Sequence, residues 1–363
     1  MDVKDVVARF QHVEGQRDNW NNHYQELADY MLPRKADIVK KRSRGEKRME
    51  LIFDGTALQA VDLLSSSLHG MLTSGATPWF HLTMKDEEFG KDEEVQRWLE
   101  DSSQRMMRAF TMSNFETEVH EMYVDLVVFG TGCMFVEMDK KTLRFSTRHI
   151  SEFYVTEDQY GMVDTVFRKY EIPARQAVQR FGIENVGTFI QRTYEKKPDE
   201  NVEILHAVMP RADRDPTKQD NKNMPYSSMY ICLETKMILA ESGFQELPYV
   251  VPRFLKATGE VMGRSPAMIA LPDVKMLNLM SKTIIQAAQK MIDPPLLVPD
   301  DGFLLPIRTQ PGGLNFYRSG SRDMITPLQT GANIPIGLNM EEQRRQAIRS
   351  AFFVDQLLSG STP

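Results

Sequence analysis

His120 is the residue where a metal site could begin. It precedes Glu121 on a predicted helix, as in zinc proteases, whose two histidines lie four residues apart and hold one metal ion from the same side of the helix. The position of the second histidine is occupied by Val124. We therefore expect His120 to be a partly buried side chain on a packed helix, and we expect no metal site.

The other motifs that could carry chemistry are also incomplete. Gly130-Thr131-Gly132 lacks the lysine and the serine or threonine of a phosphate-binding loop, and it precedes a predicted strand instead of opening a helix. No Gly-x-Ser-x-Gly nucleophile elbow is present. Three pairs of neighbouring acids fall in charged segments, which are usually solvated: Glu87-Glu88, Glu93-Glu94 and Asp300-Asp301. The sequence thus disfavours an enzyme, with no catalytic residue and no bound cofactor expected.

The strongest electrostatic feature is a basic loop at residues 34–48. Its candidate contact residues are Lys40, Lys41, Arg42, Arg44, Lys47 and Arg48. Such a loop can bind DNA phosphates through salt-sensitive contacts, or it can contact an acidic neighbour or remain solvated. It contains no aromatic residue on which the bases of a single strand could stack. The pattern favours a solvated or subunit-contacting loop and leaves direct DNA contact open.

The bulk composition is that of a folded intracellular protein. The 363 residues are 41% hydrophobic, enough for a sizeable core in two or three modules, and the net charge of −6 argues against coating nucleic acid. Two cysteines are too few for a disulfide scaffold or a thiolate metal site. Neither a signal peptide nor an apolar run of the ~20 residues needed to span a bilayer is found, so no membrane partner is expected. The 23 methionines suit either an irregular core or extensive subunit interfaces.

The predicted elements follow one another in three blocks. Four helices are predicted before residue 130: 3–32, 56–72, 92–112 and 115–129. A short strand is predicted at 79–84, and a β-rich body follows whose last strand is 249–255. Two long helices, at 272–292 and 340–358, then bracket a segment dense in glycine and proline. This order predicts an α+β fold and not a βαβ alternation.

Short runs spread along the chain carry a family resemblance. The first are ADYMLPR at 28–34, DGTA at 54–57 and SLHGMLTS at 67–74. Further runs are VFGTGCMFV at 128–136, GMVDTVFR at 161–168, GRSPA at 263–267 and DPPLLVPDDG at 293–302. In order and number these runs resemble the bacteriophage head-to-tail connector family, the portal proteins of short-tailed phages. The resemblance covers nearly the whole chain.

The resemblance implies a portal-type fold within the α+β class. Residues 1–265 would form a mixed helical and β wing. The two helices at 266–292 and 340–358 would form the stem, and residues 293–339 a small β/turn clip. Residues 359–363 would begin a channel loop, with the crown of longer family members absent from this sequence.

The resemblance also implies partners. The subunits would form a ring, usually a dodecamer, at one capsid vertex, through which double-stranded DNA passes without sequence specificity. Other implied partners are the major capsid and scaffolding proteins, the terminase packaging motor, and a tail adaptor or tail-tube protein. The expected location is the virion, after assembly in the host cytoplasm. A nucleic-acid-processing enzyme of phage assembly and a non-viral oligomeric scaffold remain the alternatives.

Two sets of site residues follow from the expected stem and clip. Polar positions of the two long helices are the candidates to face DNA: Lys282, Gln286, Gln289, Arg344, Arg345 and Arg349. Apolar residues of the expected clip are the candidates for docking the motor and tail, or for packing within a clip ring: Phe303, Leu304, Leu305, Phe316 and Tyr317. The apolar stripe of the first helix, which includes Val274 and Leu277, suits an intrachain core and a subunit interface equally. The nearly balanced charges from residue 266 onward suit passage of DNA better than binding.

Overall fold

The structure is a computed structural model that describes residues 2–43, 45–86, 90, 92–139, 142–218, 220–297, 326–327 and 334–359. The helices are α1 (Val3–Gln16), α2 (Asp18–Met31), α3 (Thr56–Leu72), α4 (Glu93–Thr111), α5 (Phe115–Phe129), α6 (Ala174–Phe181), α7 (Gly187–Lys196), α8 (Pro266–Ile292), α9 (Ile334–Ala351) and α10 (Val354–Ser359). The strands are β1 (Met134–Asp139), β2 (Thr142–Thr147), β3 (Phe153–Glu157), β4 (Val163–Pro173), β5 (Asn201–Pro210), β6 (Tyr226–Cys232), β7 (Met237–Phe244), β8 (Tyr249–Val250), β9 (Leu296–Leu297) and β10 (Thr326–Pro327). The α+β prediction is confirmed.

The predicted first helix is in fact two helices that meet at Arg17. The apolar face of α1, including Phe10, packs against the five-stranded sheet described below. Tyr24 of α2 lies in a separate and larger cluster of buried residues, which we call the main core. One straight helix could not serve both clusters. The buried guanidinium of Arg17 stabilises the break by donating hydrogen bonds to the carbonyls of Ile150 and Phe153.

The body of the molecule is an antiparallel five-stranded sheet in the order β3-β4-β5-β6-β7. Neighbouring residues of β5 point to opposite faces, as the pleat requires. Ile204 packs with Ile190 of α7 on one face, and Leu205 packs with Phe10 of α1 on the other. Both faces of β5 are therefore covered, which explains its long apolar run. A smaller antiparallel sheet, β2-β1-β8, lies beside it.

Two strand predictions differ from the structure. Residues 79–84 form neither strand nor helix, and Trp79 is instead held by stacking on Phe115, with ring centroids 5.7 Å apart. The aromatic content that favoured a strand thus serves side-chain packing. The strand predicted at 249–255 is reduced to Tyr249–Val250, because Pro252 has no N–H for a continuing ladder.

The last helices are displaced from their predicted bounds. α8 begins at Pro266, where the Ser265 side chain accepts a hydrogen bond from the N–H of Met268, and Pro272 lies within it on the exposed side. α9 begins at Ile334, within the predicted clip, and ends where Phe353 takes a positive φ of 58°. The two helices run antiparallel, and β9 pairs with β10 between them.

Candidate functional site

The apolar side of α8 is mostly intrachain core. Val274 and Leu277 are buried in the main cluster together with Ile348 and Phe352, the latter two from α9 and the residue following it. Further along, Ile284 lies so close to Gly337 that any added Cβ at Gly337 would meet its side chain. This part of the stripe therefore belongs to the fold of one chain, and the small residue on α9 lets the helices approach closely.

Polar residues interrupt this apolar contact. The Oδ1 atom of Asn278 accepts hydrogen bonds from the N–H groups of Phe53 and Asp54, at 2.6 and 3.1 Å. The Ser281 hydroxyl donates to Glu341 Oε1 at 2.6 Å. Asn278, Ser281 and Glu341 are all buried. These bonds fix the 53–54 segment and α9 to the same stretch of α8.

Arg345 completes this arrangement, which we call the α8–α9 network (Asp54, Asn278, Ser281, Glu341 and Arg345). Its guanidinium lies 2.9 Å from Asp54 Oδ2 and 3.2 Å from Glu341 Oε2. Burial alone would raise the pKa of the Asp54 carboxyl, but hydrogen bonds from Thr56 and Arg345 outweigh it and keep the pKa below its ordinary value. The Asp54 carboxyl is thus held as an anion beside the guanidinium, which also contacts Glu341. The sequence analysis missed Asn278 and Ser281, whose only signal is that they are polar residues on the apolar side of a predicted helix.

The six channel candidates fall into two groups. The three arginines of α9 all have intrachain acidic partners, since Arg344 lies 2.8 Å from Asp273 and Arg349 lies 3.4 Å from Glu342. On α8, the ammonium of Lys282 lies over the Phe53 ring, 5.6 Å from its centroid. Gln286 and Gln289 are exposed near the end of α8, beside Lys290 and Asp293. Whether any of them faces DNA stays a prediction.

The docking candidates lie outside the described residues. These are Phe303, Leu304, Leu305, Phe316 and Tyr317. The nearest described elements are β9 and β10, whose pairing places Leu297 opposite Thr326 and Leu296 opposite Pro327. A short ladder thus closes the base of the segment between α8 and α9.

The basic loop is folded onto the molecule around one side chain. The Oε1 atom of Gln25 accepts hydrogen bonds from three successive N–H groups, those of Ile38, Val39 and Lys40, at 2.9–3.2 Å. The amide nitrogen of Gln25 donates to the carbonyl of Ala36 at 2.6 Å. The buried Gln25 side chain therefore occupies the backbone N–H groups that could otherwise bind an anion.

Most cations of the basic loop have acidic partners within the chain. Arg42 lies 3.0 Å and Lys40 3.7 Å from Asp29. Lys41 lies 2.6 Å from Glu171, and Arg48 pairs with Asp37. Lys47 lines a surface pocket of about 400 Å³ with Lys40, Arg42 and Arg48, and with Asp29, Glu46, Glu50 and Leu51. Arg44 lies outside the described residues. The mixed charge of this pocket gives it little preference for a phosphate.

Glu121 is engaged in ion pairs and not in a metal site. It lies 3.0 Å from Lys35 and 2.8 Å from Arg34, and the ring of His120 is 5.7 Å from that of His69. Lys35 also contacts the buried carboxyl of Asp125 at 2.7 Å. Within the described part of the chain, no three His, Cys, Asp or Glu residues come close enough to share a metal ion.

A buried histidine that sequence reasoning missed lies at the centre of the five-stranded sheet. His206 Nε2 is 2.9 Å from the Ser228 hydroxyl and Nδ1 is 2.8 Å from the Tyr249 hydroxyl, while the Tyr230 ring stacks on the imidazole at 4.0 Å. Burial and nearby arginines lower the pKa of His206 well below its ordinary value, so the ring is neutral. Ser228 is also buried, so no substrate reaches its hydroxyl. The only signal in the sequence was a histidine within the apolar run of β5.

An apolar groove runs along α4. It has a volume of about 730 Å³, and its apolar walls include Phe80, Leu82, Leu99 and Met107. Trp98 of the same helix is 64% exposed. The Ser103 hydroxyl in the groove donates a hydrogen bond to the carbonyl of Leu99 at 2.8 Å and accepts one from the N–H of Leu82 at 2.9 Å. No helix in the described ranges is long and apolar enough to cross a membrane.

Comparison with known proteins gives one consistent family. Residues 3–363 match the family described as "Bacteriophage head to tail connecting protein". The chain is 32% identical to the "Probable portal protein" of Bordetella phage BPP-1 over 369 residues, covering 99% of this chain and 66% of that protein. It is also 32% identical to the "Portal protein" of Salmonella phage epsilon15 over 358 residues, covering 96% of this chain and 64% of that protein. The chain thus spans slightly less than two thirds of the length of these relatives.

Proposed function

Because this chain belongs to the bacteriophage head to tail connecting protein family, we propose that it is the subunit of a portal ring. The ring occupies one vertex of the capsid, and double-stranded DNA passes through its centre during packaging and ejection. The observation that carries this proposal is the family match, which extends over nearly the whole chain and includes two relatives named as portal proteins.

The structure supports a division into wing, stem and clip. α8 has 27 residues and is about 40 Å long. After the segment between β9 and β10, the chain runs back alongside α8 as α9. The α8–α9 network and the buried residues around Val274 join this hairpin rigidly to the remainder of the chain. We assign residues 1–265 to the wing, α8 and α9 to the stem, and the segment between them to the clip.

A stem of this kind suits a conduit. The α9 arginines are neutralised by acids of the same chain, so few cations remain to hold phosphates. Each phosphate neutralised by a protein cation adds affinity and slows sliding, and a channel must avoid this. We propose that Lys282, Gln286 and Gln289 are the stem residues that meet the DNA backbone, without reading its sequence.

The proposed role is structural and not enzymatic. We propose that the ring, expected to be a dodecamer, binds capsid and scaffolding proteins through the wing. The clip would dock the packaging motor and later the tail adaptor. The ring would be part of the virion after assembly in the host cytoplasm.

The direct test is the assembly state of the purified chain. Negative-stain electron microscopy and native mass measurement should show a closed ring with a central hole and a mass that is a whole multiple of 41.7 kDa. A protein that stays monomeric at every concentration would contradict the proposal.

A further inference from the structure

Arg17 is a buried cation that has no anion beside it. It is 4% exposed, and its two terminal nitrogens donate hydrogen bonds to the carbonyls of Ile150 and Phe153. Its Nε atom is buried and finds no acceptor among the described residues. No carboxylate in the described part of the chain pairs with it, and burial lowers the pKa of its guanidinium, yet an arginine stays protonated in proteins. The fold therefore leaves one positive charge in its interior without a counterion, which is unfavourable.

Aromatic rings around the guanidinium reduce this penalty without removing it. The Cζ atom of Arg17 lies 4.7 Å from the centroid of the Tyr154 ring and 5.6 Å from that of the Tyr24 ring. Such rings attract a cation, but a carboxylate also accepts its N–H groups and attracts it more strongly. An arginine has five N–H donors, and only two of these bond to the carbonyls. Three donors therefore remain for a ligand.

Arg17 lines a pocket of about 300 Å³ at the meeting point of three parts of the fold. Trp20 comes from α2, Tyr154 from β3, and Val261 from the loop that precedes α8. The Tyr154 hydroxyl and the indole N–H of Trp20 make no hydrogen bond with any described residue. The pocket thus combines a buried cation with further hydrogen-bond donors that are not in use.

Glu260, the acidic residue of the lining, already has a cation of its own. It accepts hydrogen bonds from two nitrogens of Arg264, one of them Nε at 2.8 Å. The Arg264 guanidinium in turn lies over the Trp20 ring, 4.4 Å from its centroid. Because Glu260 and Arg264 neutralise each other, the charge of Arg17 remains uncompensated in the pocket.

We propose that this pocket binds a monocarboxylate that carries a short apolar group, with its carboxylate paired to Arg17. The planar guanidinium matches the two oxygens of a carboxylate. Apolar walls, among them Val13, Val155 and Met262, suit the remainder of such a ligand. A doubly charged anion such as phosphate fits less well, because the Glu260 carboxylate lies in the same lining. The carboxylate could belong to a free acid or to the end of a peptide chain, since the chemistry is the same.

Binding would tie together the three parts of the chain that form the pocket. These are the junction of α1 and α2, the strand β3 and the loop at 259–262. A ligand that binds only the folded chain stabilises it in proportion to its occupancy. The proposal does not depend on the portal ring, and it is tested on the full chain in any assembly state.

Calorimetric titration with hydrocinnamate tests the proposal. Saturable binding is expected with a Kd of about 1 mM, and the neutral hydrocinnamide, which has the same shape, should bind at least about tenfold more weakly. Inorganic phosphate should also bind at least about tenfold more weakly than hydrocinnamate. The urea midpoint of unfolding should rise with the acid and not with the amide. An acetylated dipeptide that ends in a free phenylalanine carboxylate distinguishes the two sources, because tighter binding than hydrocinnamate would identify a chain end as the ligand.

Variants that leave Arg17 in place locate the site, because removing its side chain would also break its bonds to the carbonyls. Tyr154→Phe removes one hydroxyl and should weaken hydrocinnamate binding by about threefold to tenfold. Val261→Trp should fill the pocket and abolish binding, while urea unfolding shows that the variant is folded. Tyr160→Phe is the matched control at a tyrosine that is 81% exposed, and it should bind as the wild type does. Equal binding of acid and amide, unchanged binding in folded Val261→Trp, or no binding at about 20 mM would each overturn the proposal and leave Arg17 with its structural role alone.

Discussion

Helical phase alone cannot show whether Arg345 contacts DNA or pairs with acidic residues of its own chain. The sequence places Arg344, Arg345 and Arg349 near one another on α9 as candidates to face DNA. The structure shows Arg345 between Asp54 and Glu341, and Glu341 is almost wholly buried. Asp54 precedes Arg345 by 291 positions, so no local pattern could have predicted the pairing. Arg345 therefore has a structural task whether or not it also meets DNA.

Replacing Arg345 should destabilise the chain. Arg345→Ala would leave Glu341 buried with no cation beside it, at a cost of about 2 kcal/mol of unfolding free energy. The matched control is Arg349→Ala, because Arg349 and its partner Glu342 are both half-exposed, and its effect should stay within about 0.5 kcal/mol. Urea unfolding of the three proteins measures both values. Equal stability of the two variants would contradict a structural role for Arg345.

His206 should make the fold sensitive to acid. The folded chain keeps this histidine neutral, since burial lowers its pKa, whereas the unfolded chain binds a proton below its ordinary value of 6.5. The unfolded state then holds more protons, so stability should fall as the pH falls below about 6.5, by up to about 1.4 kcal/mol per pH unit. His206→Gln should flatten this slope in denaturant unfolding measured from pH 7 to 5. His81→Gln, at an exposed histidine, should leave it unchanged, and an unaltered slope in His206→Gln would contradict the assignment.

Among the elements, prediction succeeded where the local sequence pattern alone decides where a helix begins and ends. α3 and α5 occupy the predicted ranges, since their apolar periodicity and turn residues both agree with the fold. It failed where a distant contact decides the local structure. The break at Arg17 depends on carbonyls of residues 150 and 153, and the strand predicted at 79–84 lacks a partner strand among the described residues.

The candidate site divides along the same line. The sequence indicated which side chains of α8 and α9 are polar, but it could not show which of them are neutralised within the chain. It also drew attention to the stripe through Val274 and Leu277, which is largely intrachain core, and overlooked the exposed Met276 and Leu279 of the same helix. Helical phase gives faces, and only the packed structure shows which face remains uncovered.

The segment between β9 and β10 should be separable from the rest of the chain. We expect that replacing residues 298–325 with a short glycine-serine linker leaves the wing and stem folded, because the flanking residues Leu297 and Thr326 lie opposite each other in the β9–β10 ladder and a short linker can join them. Packaging of DNA or attachment of tails should be lost. Thermal unfolding and a complementation assay measure the two effects. Unimpaired packaging and infectivity would contradict a docking role for the clip.

A second variant distinguishes the two roles proposed for the apolar clip residues. Phe303, Leu304, Leu305, Phe316 and Tyr317 are changed to serine in an otherwise intact chain. If they dock the motor or tail, rings should form normally and packaging or tail attachment should fail. If they pack within a clip ring, ring stability itself should fall, as measured by native mass after dilution.

In the whole ring, symmetry repeats a channel-facing side chain once in every subunit. A single substitution therefore changes the charge around the DNA path and tests whether that residue faces the channel. Lys282 is the clearest position, because it is exposed and no carboxylate among the described residues forms an ion pair with it, whereas changes at Arg345 would also disturb the fold. Lys282→Glu places an added negative charge in every subunit along the DNA path. The effect of the substitution on DNA packaging or retention should therefore depend on ionic strength and not on the DNA sequence, because residue 282 would contact only the phosphates. Lys4→Glu is the control, because Lys4 is exposed on α1 in the proposed wing and carries the same change of charge. If both variants package and retain DNA as the wild type does at low and high salt, Lys282 does not face the channel, and the DNA path must be lined by other residues of the ring.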